Sequence, residues 1–321
     1  MKGKLLLALA IVICFTNCSK EFSAENDVIV TNPNWNATTP NATNHVIRQL
    51  LTTLQPGDIV SIYDNANNNF INFGEGFLNF PTNCFVRLNN TAVVGNVTLK
   101  IKLATQFDDM IYYNLATLTN NALLSTDGMV KIEASQGNDV LKIAPGKLVD
   151  IAFNKSTSNN YLGFAGVDNN SVTNNTTWNV NTTWGVDSIG TGATGTGLTR
   201  IKVDSLVWTN CDYFYNQPNP TNIYLKLPAA YGNVNTLCYM VFRTDKVIAG
   251  MYADAPNLQF FQGANYKVPI GKNVRLVALS KVNNKLYYGA VDVTITANQT
   301  ITINALDEVT ETELQTRLNA L

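Results

Sequence analysis

The chain has 321 residues, with 22 Lys or Arg against 23 Asp or Glu and a formal net charge of −1. Charged residues make up only 14% of the sequence, so it lacks the basic surface with which proteins bind nucleic acid phosphates. We therefore expect no nucleic acid partner. Asn is the most unusual component, with 44 residues, and such a neutral polar composition is common among secreted β-rich proteins.

The first 21 residues, MKGKLLLALAIVICFTNCSKE, have the layout of a secretory signal. Two lysines precede about eleven apolar residues, which are too few to span a bilayer of ~30 Å as a helix. The run ends at Cys18 and resembles a bacterial lipoprotein signal, in which this cysteine is acylated and becomes the mature N-terminus. The residues Ser19, Lys20 and Glu21 resemble a tag that marks Bacteroidetes lipoproteins for export to the cell surface.

An acylated Cys18 would attach the protein to a membrane without a spanning helix, because each buried methylene contributes ~0.8 kcal/mol. We expect a lipid-anchored protein of the outer membrane, on the periplasmic face or the cell surface. Palmitate or a similar acyl chain on Cys18 would then bind the membrane, which is the partner that this interpretation predicts. The alternative is a plain secretory signal in which the cysteine occurs by chance.

A segment of uncertain structure follows the signal. Residues 45–54, HVIRQLLTTL, have a pattern that fits either a short helix or a strand. The pattern alone does not choose between the two.

From residue 56 onward, short runs alternate polar residues with β-branched or aromatic ones, as half-buried strands do. Clear examples are residues 96–102, 129–134, 222–227 and 292–296. Turn signals such as Pro56-Gly57 and Asn283-Asn284 separate these runs. Many short strands with frequent turns predict an all-β protein built from antiparallel β-sandwiches of the Ig-like kind.

Residues 154–199 interrupt this rhythm with nineteen Asn or Thr and seven Gly. The end of the segment, GTGATGTG, has few side chains that could order it. We place the division between two domains here, although Trp178 and Trp184 indicate that part of the segment packs as long loops.

A helix is predicted at the C-terminal end of the chain. Thr310 and Glu313 form a capping box, and Leu314, Leu318 and Leu321 then make an apolar stripe.

These patterns divide the whole chain into six segments. We predict a signal peptide at 1–17, a tether at 18–55, a first sandwich at 56–155, a linker or long loops at 156–199, a second sandwich at 200–304 and a terminal helix at 305–321.

Several motifs resemble a pattern in Bacteroidetes surface lipoproteins. They are VGNVTLKIK (94–102), DMI (109–111), LLSTDGM (123–129), IEA (132–134) and LKIAPGK (141–147), followed by WTNCDYF (208–214) and the segment 235–242. That pattern is similar to the β-sandwich (ZU-type) module shared by ankyrins and netrin receptors, so the resemblance implies a β-sandwich and carries no chemistry. Asp127 stands where the pattern has glycine. The His-Phe-Ser sequence at which some eukaryotic relatives cut themselves is absent, so self-cleavage is not implied.

Catalytic motifs are scarce. His45 is the only histidine, so tri-histidine zinc sites and the HExxH motif are excluded, and a catalytic triad would depend on that residue alone. The neighbours Asp108 and Asp109 would point to opposite faces of a strand and make a poor acid–base pair. Asp109 is better explained as an acceptor at a turn or at the end of a strand. We expect no cofactor, no metal and no enzyme activity, with a carboxylate-dependent glycosidase as an alternative.

Three cysteines remain after Cys18. Of these, Cys211 and Cys238 could form a disulfide, and the other interpretation is that all three are buried thiols.

The aromatic residues Trp208, Tyr213 and Tyr215 could stack on sugar rings, although aromatic residues of a sandwich usually lie in its core. We therefore expect a binding, adhesion or structural module with a protein or glycan partner at the cell surface. A glycan-binding protein of a polysaccharide-uptake system is the first alternative.

Overall fold

The computed structural model describes residues 45–119, 121–154, 160–168, 176–189, 197–253, 260–263 and 266–321. This part of the chain forms two β units and three short α-helices. Strands dominate and nearly all pair antiparallel, so the predicted all-β sandwich class is confirmed.

Helix α1 (Val46–Thr53) settles the structure of the segment that the sequence left open between helix and strand. Its buried residues Ile47, Leu50 and Leu51 recur at the spacing of one helix face. The helix ends before Pro56, which cannot continue it.

Helix α3 (Glu311–Asn319) is the predicted terminal helix, and its capping box is present. The Thr310 hydroxyl accepts from the Glu313 amide at 3.2 Å, and the Glu313 carboxylate accepts from the Thr310 amide at 2.7 Å. Leu314 and Leu318 are buried against the rest of the molecule.

Helix α2 (Phe107–Tyr112) carries Asp108 and Asp109, so these two residues lie in a helix and not in the strand that the sequence analysis assumes. The helix starts here for a local reason, since Asp109 at the third helical position accepts from the backbone amides of Thr105 and Gln106 at 3.2 and 3.3 Å. These bonds satisfy donors that a helix N-terminus otherwise leaves without partners. Asp109 is therefore a backbone acceptor, as expected, but at a helix start.

The strands of the first unit are β1 (Ile59–Asp64), β2 (Asn69–Asn72), β3 (Gly76–Phe80), β4 (Phe85–Arg87), β5 (Asn96–Ala104), β6 (Leu124–Gln136), β7 (Asp139–Ile143), β8 (Val149–Asn154), β9 (Leu162–Asp168), β10 (Thr176–Val180), β11 (Gly185–Ile189), β12 (Leu198–Val203) and β13 (Thr209–Phe214). The strands of the second unit are β14 (Pro220–Thr221), β15 (Ile223–Lys226), β16 (Thr236–Phe242), β17 (Val247–Tyr252), β18 (Phe260–Gly263), β19 (Val268–Pro269), β20 (Asn273–Val282), β21 (Lys285–Thr294), β22 (Gln299–Thr302) and β23 (Asp307–Val309).

The first unit is a sandwich of two sheets. One sheet has the order β1-β5-β6-β13-β9-β10, with β7 attached to β6 and β4 attached to β7, and the other has the order β11-β12-β8-β3-β2. Fully buried side chains from the facing strands, such as Leu99, Val130, Ile151 and Ile201, form the core between them. Alternation along each strand places these residues on one face, as the sequence pattern predicts.

The sheet pairings place the boundary between the units after residue 214 rather than within 156–199. Strand β12 pairs with β8, and β13 pairs with β6 and β9, so these later strands complete the first sandwich. The described parts of 156–199 are mostly strands, and Trp178 and Trp184 are buried. Composition alone does not reveal these strands, because Thr and Asn occur both on the outer face of a strand and in loops.

The second unit is one sheet of order β22-β15-β18-β17-β16-β20-β21-β23, flanked by the short β14–β19 pair. Ile301 on β22 and Val291 on β21 share a core with Met240 and Phe242 on the central strand β16. The sheet therefore curls around its own apolar interior. Strands β15 and β22 run parallel to each other.

A separate apolar core, which we call the junction core, joins the two units. It contains residues of α1, α2 and α3, together with Phe164 and Trp178 from the first unit and Tyr239, Val241 and Leu279 from the second. The Trp178 indole N–H donates to the Ala116 carbonyl at 2.6 Å. The helices thus fill the space between the outer faces of two β sheets.

Candidate functional site

The lipidation residue Cys18 and the export residues Ser19, Lys20 and Glu21 lie outside the described residues. No helix in the described ranges has both the length and the apolar character needed to cross a bilayer.

The aromatic residues considered for sugar binding face inward. Trp208 is 8% exposed and its ring lies 5.4 Å from that of Tyr113, while Tyr215 is 9% exposed. Tyr213 is partly buried and packs edge-on against Tyr161, with ring centroids 5.3 Å apart. Stacking on a sugar needs a flat ring face open to solvent, and these three side chains do not combine into such a platform.

The junction face of strand β13 carries a buried polar chain. The Thr126 hydroxyl donates to Asn210 Oδ1 at 2.7 Å, and Asn210 Nδ2 donates to Asp212 Oδ2 at 2.5 Å. Asp212 is fully buried, and its Oδ1 has no hydrogen-bond partner. Burial raises the pKa of Asp212 well above its usual range, and nearby Asp127 raises it further.

A bulge beside this chain brings Asp127 into the same region. The pairing of β13 with β6 shifts between Cys211 and Asp212, so Asp127 is the extra residue on β6. Asp127 is 3% exposed. Two carboxyl groups thus lie on paired strands, but both are buried, whereas the two carboxyl groups of a glycosidase must reach a substrate.

A second polar cluster connects β6 and the β16–β17 turn. The Ser125 hydroxyl donates to the Asp245 carbonyl oxygen at 2.5 Å, and the Asp245 carboxylate accepts from Tyr215 Oη at 2.8 Å. Lys272 Nζ lies 3.0 Å from Asp245 Oδ1 and caps the cluster. Burial and the hydrogen bond to Asp245 raise the pKa of Tyr215. All these groups have partners, so the cluster has the character of a structural link between the units.

The third polar group lies at the start of α1. His45 is 4% exposed, and its Nε2 lies 3.2 Å from the Asn233 carbonyl oxygen. Arg48 is 9% exposed, and its guanidinium carbon lies 5.9 Å from the centre of the Tyr239 ring. Burial, with a smaller effect of Arg48, lowers the pKa of His45 to about 4.

A carboxylate group at the start of α2 has a different environment. Burial and the adjacent Asp108 raise the pKa of Asp109 to about 6. Glu75 accepts from the Gln106 side chain at 2.9 Å, next to the same helix start. Within the described ranges, no set of three or more His, Cys, Asp or Glu side chains is arranged to hold a metal ion.

The three cysteines after Cys18 agree with the interpretation that they are buried thiols and not with the disulfide. Cys84, Cys211 and Cys238 are buried thiols, and no disulfide joins Cys211 to Cys238 because they belong to the cores of different units. Burial raises the pKa of Cys84 to about 12 and that of Cys238 well above its usual range.

Sequence reasoning did not single out Arg48, Asn210, Asp245 or Lys272. Only Arg48 left a signal, since it is a charged residue inside the apolar run VIRQLL. The others come together through contacts between strands that are far apart in the sequence. No protein-family model matches the chain, and a search of curated proteins finds none that is significantly similar to it.

Proposed function

We propose that this protein is a non-catalytic lipoprotein of the outer membrane, attached through a lipid on Cys18 and acting as a binding module for another protein at the cell surface. The resemblance to Bacteroidetes surface lipoproteins and the signal pattern before Cys18 support the attachment. The binding role is supported by the edge of the first sandwich.

Strand β1 carries the observation on which the binding role rests. Among the described strands it pairs only with β5, so it forms one edge of its sheet. Its outward side chains Val60 and Ile62 are 58% and 64% exposed. A sheet edge with exposed apolar side chains is where a strand of a second protein can add by backbone hydrogen bonds.

The same outer face extends beyond β1. Ile62 lies opposite Thr98 on β5, Thr98 lies opposite Ser135 on β6, and Ser135 lies opposite Val140 on β7. Val140 is 64% exposed. An added strand would therefore continue a face that already presents apolar side chains at both ends of this row.

The surroundings of the acid–base groups favour a non-catalytic role. His45 is buried and hydrogen-bonded to a backbone carbonyl, and the raised pKa of Asp212 arises in a closed junction between the two units. General acid–base catalysis needs such a group within reach of a substrate.

Two variants of the full chain test the proposal. A Cys18→Ala chain should leave the membrane fraction, and its retention there would refute the lipid anchor. A V60K/I62K chain should lose the partner that co-purifies with the wild type, because charged side chains at an edge oppose strand addition. The matched control is Val234→Lys, which changes a residue of similar exposure, 58%, on the second unit. Equal recovery of the partner from the wild type, the V60K/I62K chain and the Val234→Lys chain would refute the binding edge.

A further inference from the structure

The start of helix α1 and the neighbouring strand β16 hold three buried polar atoms that make no hydrogen bond of normal geometry, although the Arg48 guanidinium lies close enough to Tyr239 to act on its hydroxyl. They are His45 Nδ1, Arg48 Nη1 and Tyr239 Oη. All three side chains are at least nine-tenths buried. A buried donor or acceptor without a partner costs about 1–3 kcal/mol, so their collection at one place requires an explanation.

The helix start adds further donors to this cluster. His45 is the N-cap residue but makes no side-chain capping bond, and the first turn contains no acidic residue. The first hydrogen bond within the helix is from the Gln49 amide to the His45 carbonyl at 3.1 Å. The three amides before Gln49 therefore point out of the helix end, where its dipole favours a negative charge.

Arg48 supplies the charge. It occupies the third helical position, so its side chain lies beside the helix start, and within the described residues it forms no ion pair. A buried guanidinium without a counter-charge is strongly unfavourable. While His45 is neutral, a single negative charge is enough to balance Arg48.

We propose that the cluster of His45, Arg48 and Tyr239 at the start of α1 binds a single carboxylate group. Arg48 has the planar pair of donors that matches a carboxylate, and the Tyr239 hydroxyl and the amides of the helix start supply further donors. The site borders the junction core, so an occupied site would hold α1 against strand β16 of the second unit. It contains no residue of strand β1, so its test is independent of that of the binding edge.

Binding at this site should be coupled to a proton on His45. Because the Asn233 carbonyl can only accept, Nε2 carries a hydrogen, and Nδ1 of the neutral ring is an acceptor. Nδ1 can donate to a carboxylate only when the ring is protonated. A bound carboxylate should therefore raise the low pKa of His45, and the affinity for the carboxylate should increase as the pH falls.

The carboxylate has two sources. It is either a free acid or a side chain of the segment before α1, where Glu21, Glu25 and Asp27 are the acidic residues. His45 is the only histidine, so its ring signals in a ¹³C NMR spectrum of the selectively labelled full chain report on the site without ambiguity. The experiment titrates acetate into the wild type and into an E21Q/E25Q/D27N variant, at several pH values.

A free acid as the source predicts that acetate shifts the His45 signals of the wild type saturably and raises the His45 pKa by about one unit or more. A side chain as the source predicts that the wild type does not respond, that the triple variant has a lower His45 pKa, and that acetate restores it. Absence of a saturable response in both chains would overturn the proposal.

Arg48→Gln should weaken the response at least tenfold, whereas Arg87→Gln, at a half-buried arginine of β4 that pairs with Asp139, should leave it unchanged. Because Arg48→Gln also changes the packing of a buried side chain, Tyr239→Phe serves as a second variant that keeps the ring and removes only the hydroxyl. It should weaken acetate binding several-fold. An unchanged response in folded Arg48→Gln and Tyr239→Phe chains would also overturn the assignment.

Discussion

Replacing Asp212 with Asn should make the stability of the protein less dependent on pH. Asp212 is fully buried in the junction, and its pKa in the folded chain is raised well above its usual range, chiefly by burial. An Asn side chain has the same shape, can accept from Asn210 through its oxygen, and resembles the protonated acid. The substitution therefore removes the titration with little change in packing.

The sign and size of the effect follow from proton linkage. Below pH ~4 the carboxyl group is protonated in both folded and unfolded chains. As the pH rises, the unfolded chain releases the proton and the folded chain keeps it, so the free energy of unfolding falls by up to about 1.4 kcal/mol per pH unit. The fall continues until the folded pKa is reached. The Asp212→Asn chain lacks this contribution.

Urea unfolding of both chains at intervals from pH 4 to pH 8 measures the effect. The difference in unfolding free energy between Asp212→Asn and the wild type should grow with pH in favour of the variant. His45 and Asp109 also have shifted pKa values, but they are present in both chains and largely cancel in the difference. A difference that does not change with pH would show that Asp212 titrates normally and would refute the reasoning.

Three further predictions concern stability and reactivity. Thr310→Ala should lower the free energy of unfolding by about 1 kcal/mol, because it removes the cap of α3, whereas Thr312→Ala on the exposed side of the helix should have little effect in the same urea titration. Gly76→Ala should destabilise the first unit by more than about 3 kcal/mol, since its Cβ would lie 1.9 Å from the Ala152 carbonyl oxygen; Gly57→Ala meets nothing within 4 Å and should melt like the wild type. The buried cysteine thiols should not react with a thiol reagent at pH 8 until denaturant is added, and rapid labelling of the native chain would contradict their burial.

Local sequence patterns predicted a helix or strand well where residues within that helix or strand are enough to specify it. The alternation in residues 96–102 fixes a strand because its apolar face needs a partner on one side only. The capping box of Thr310 and Glu313 specifies the start of α3 within four residues. Such signals need no knowledge of the rest of the fold.

The extent of the first unit could not be predicted in the same way. Whether residues 198–214 pair with β8 and β6 or with later strands depends on contacts between distant segments. The low apolar content before residue 198 indicates a boundary, whereas Trp178 and Trp184, together with Tyr161 and Phe164, indicate packing. A tryptophan in a polar segment is therefore strong evidence that the segment packs. A polar composition is weaker evidence that the segment is a linker.

The junction shows most clearly why the polar sites escaped prediction. The His45 ring contacts the Asn233 carbonyl across 188 residues, and Thr126 contacts Asn210 across 84. Each of these side chains is unremarkable in its own segment, because its partner lies far away in the sequence. Because the two units share this core, any group that binds Arg48 or changes the charge of Asp212 acts on the contact between them. The pH dependence of Asp212→Asn and the acetate response of His45 therefore test the same physical idea, that the stability of the junction depends on charges buried within it.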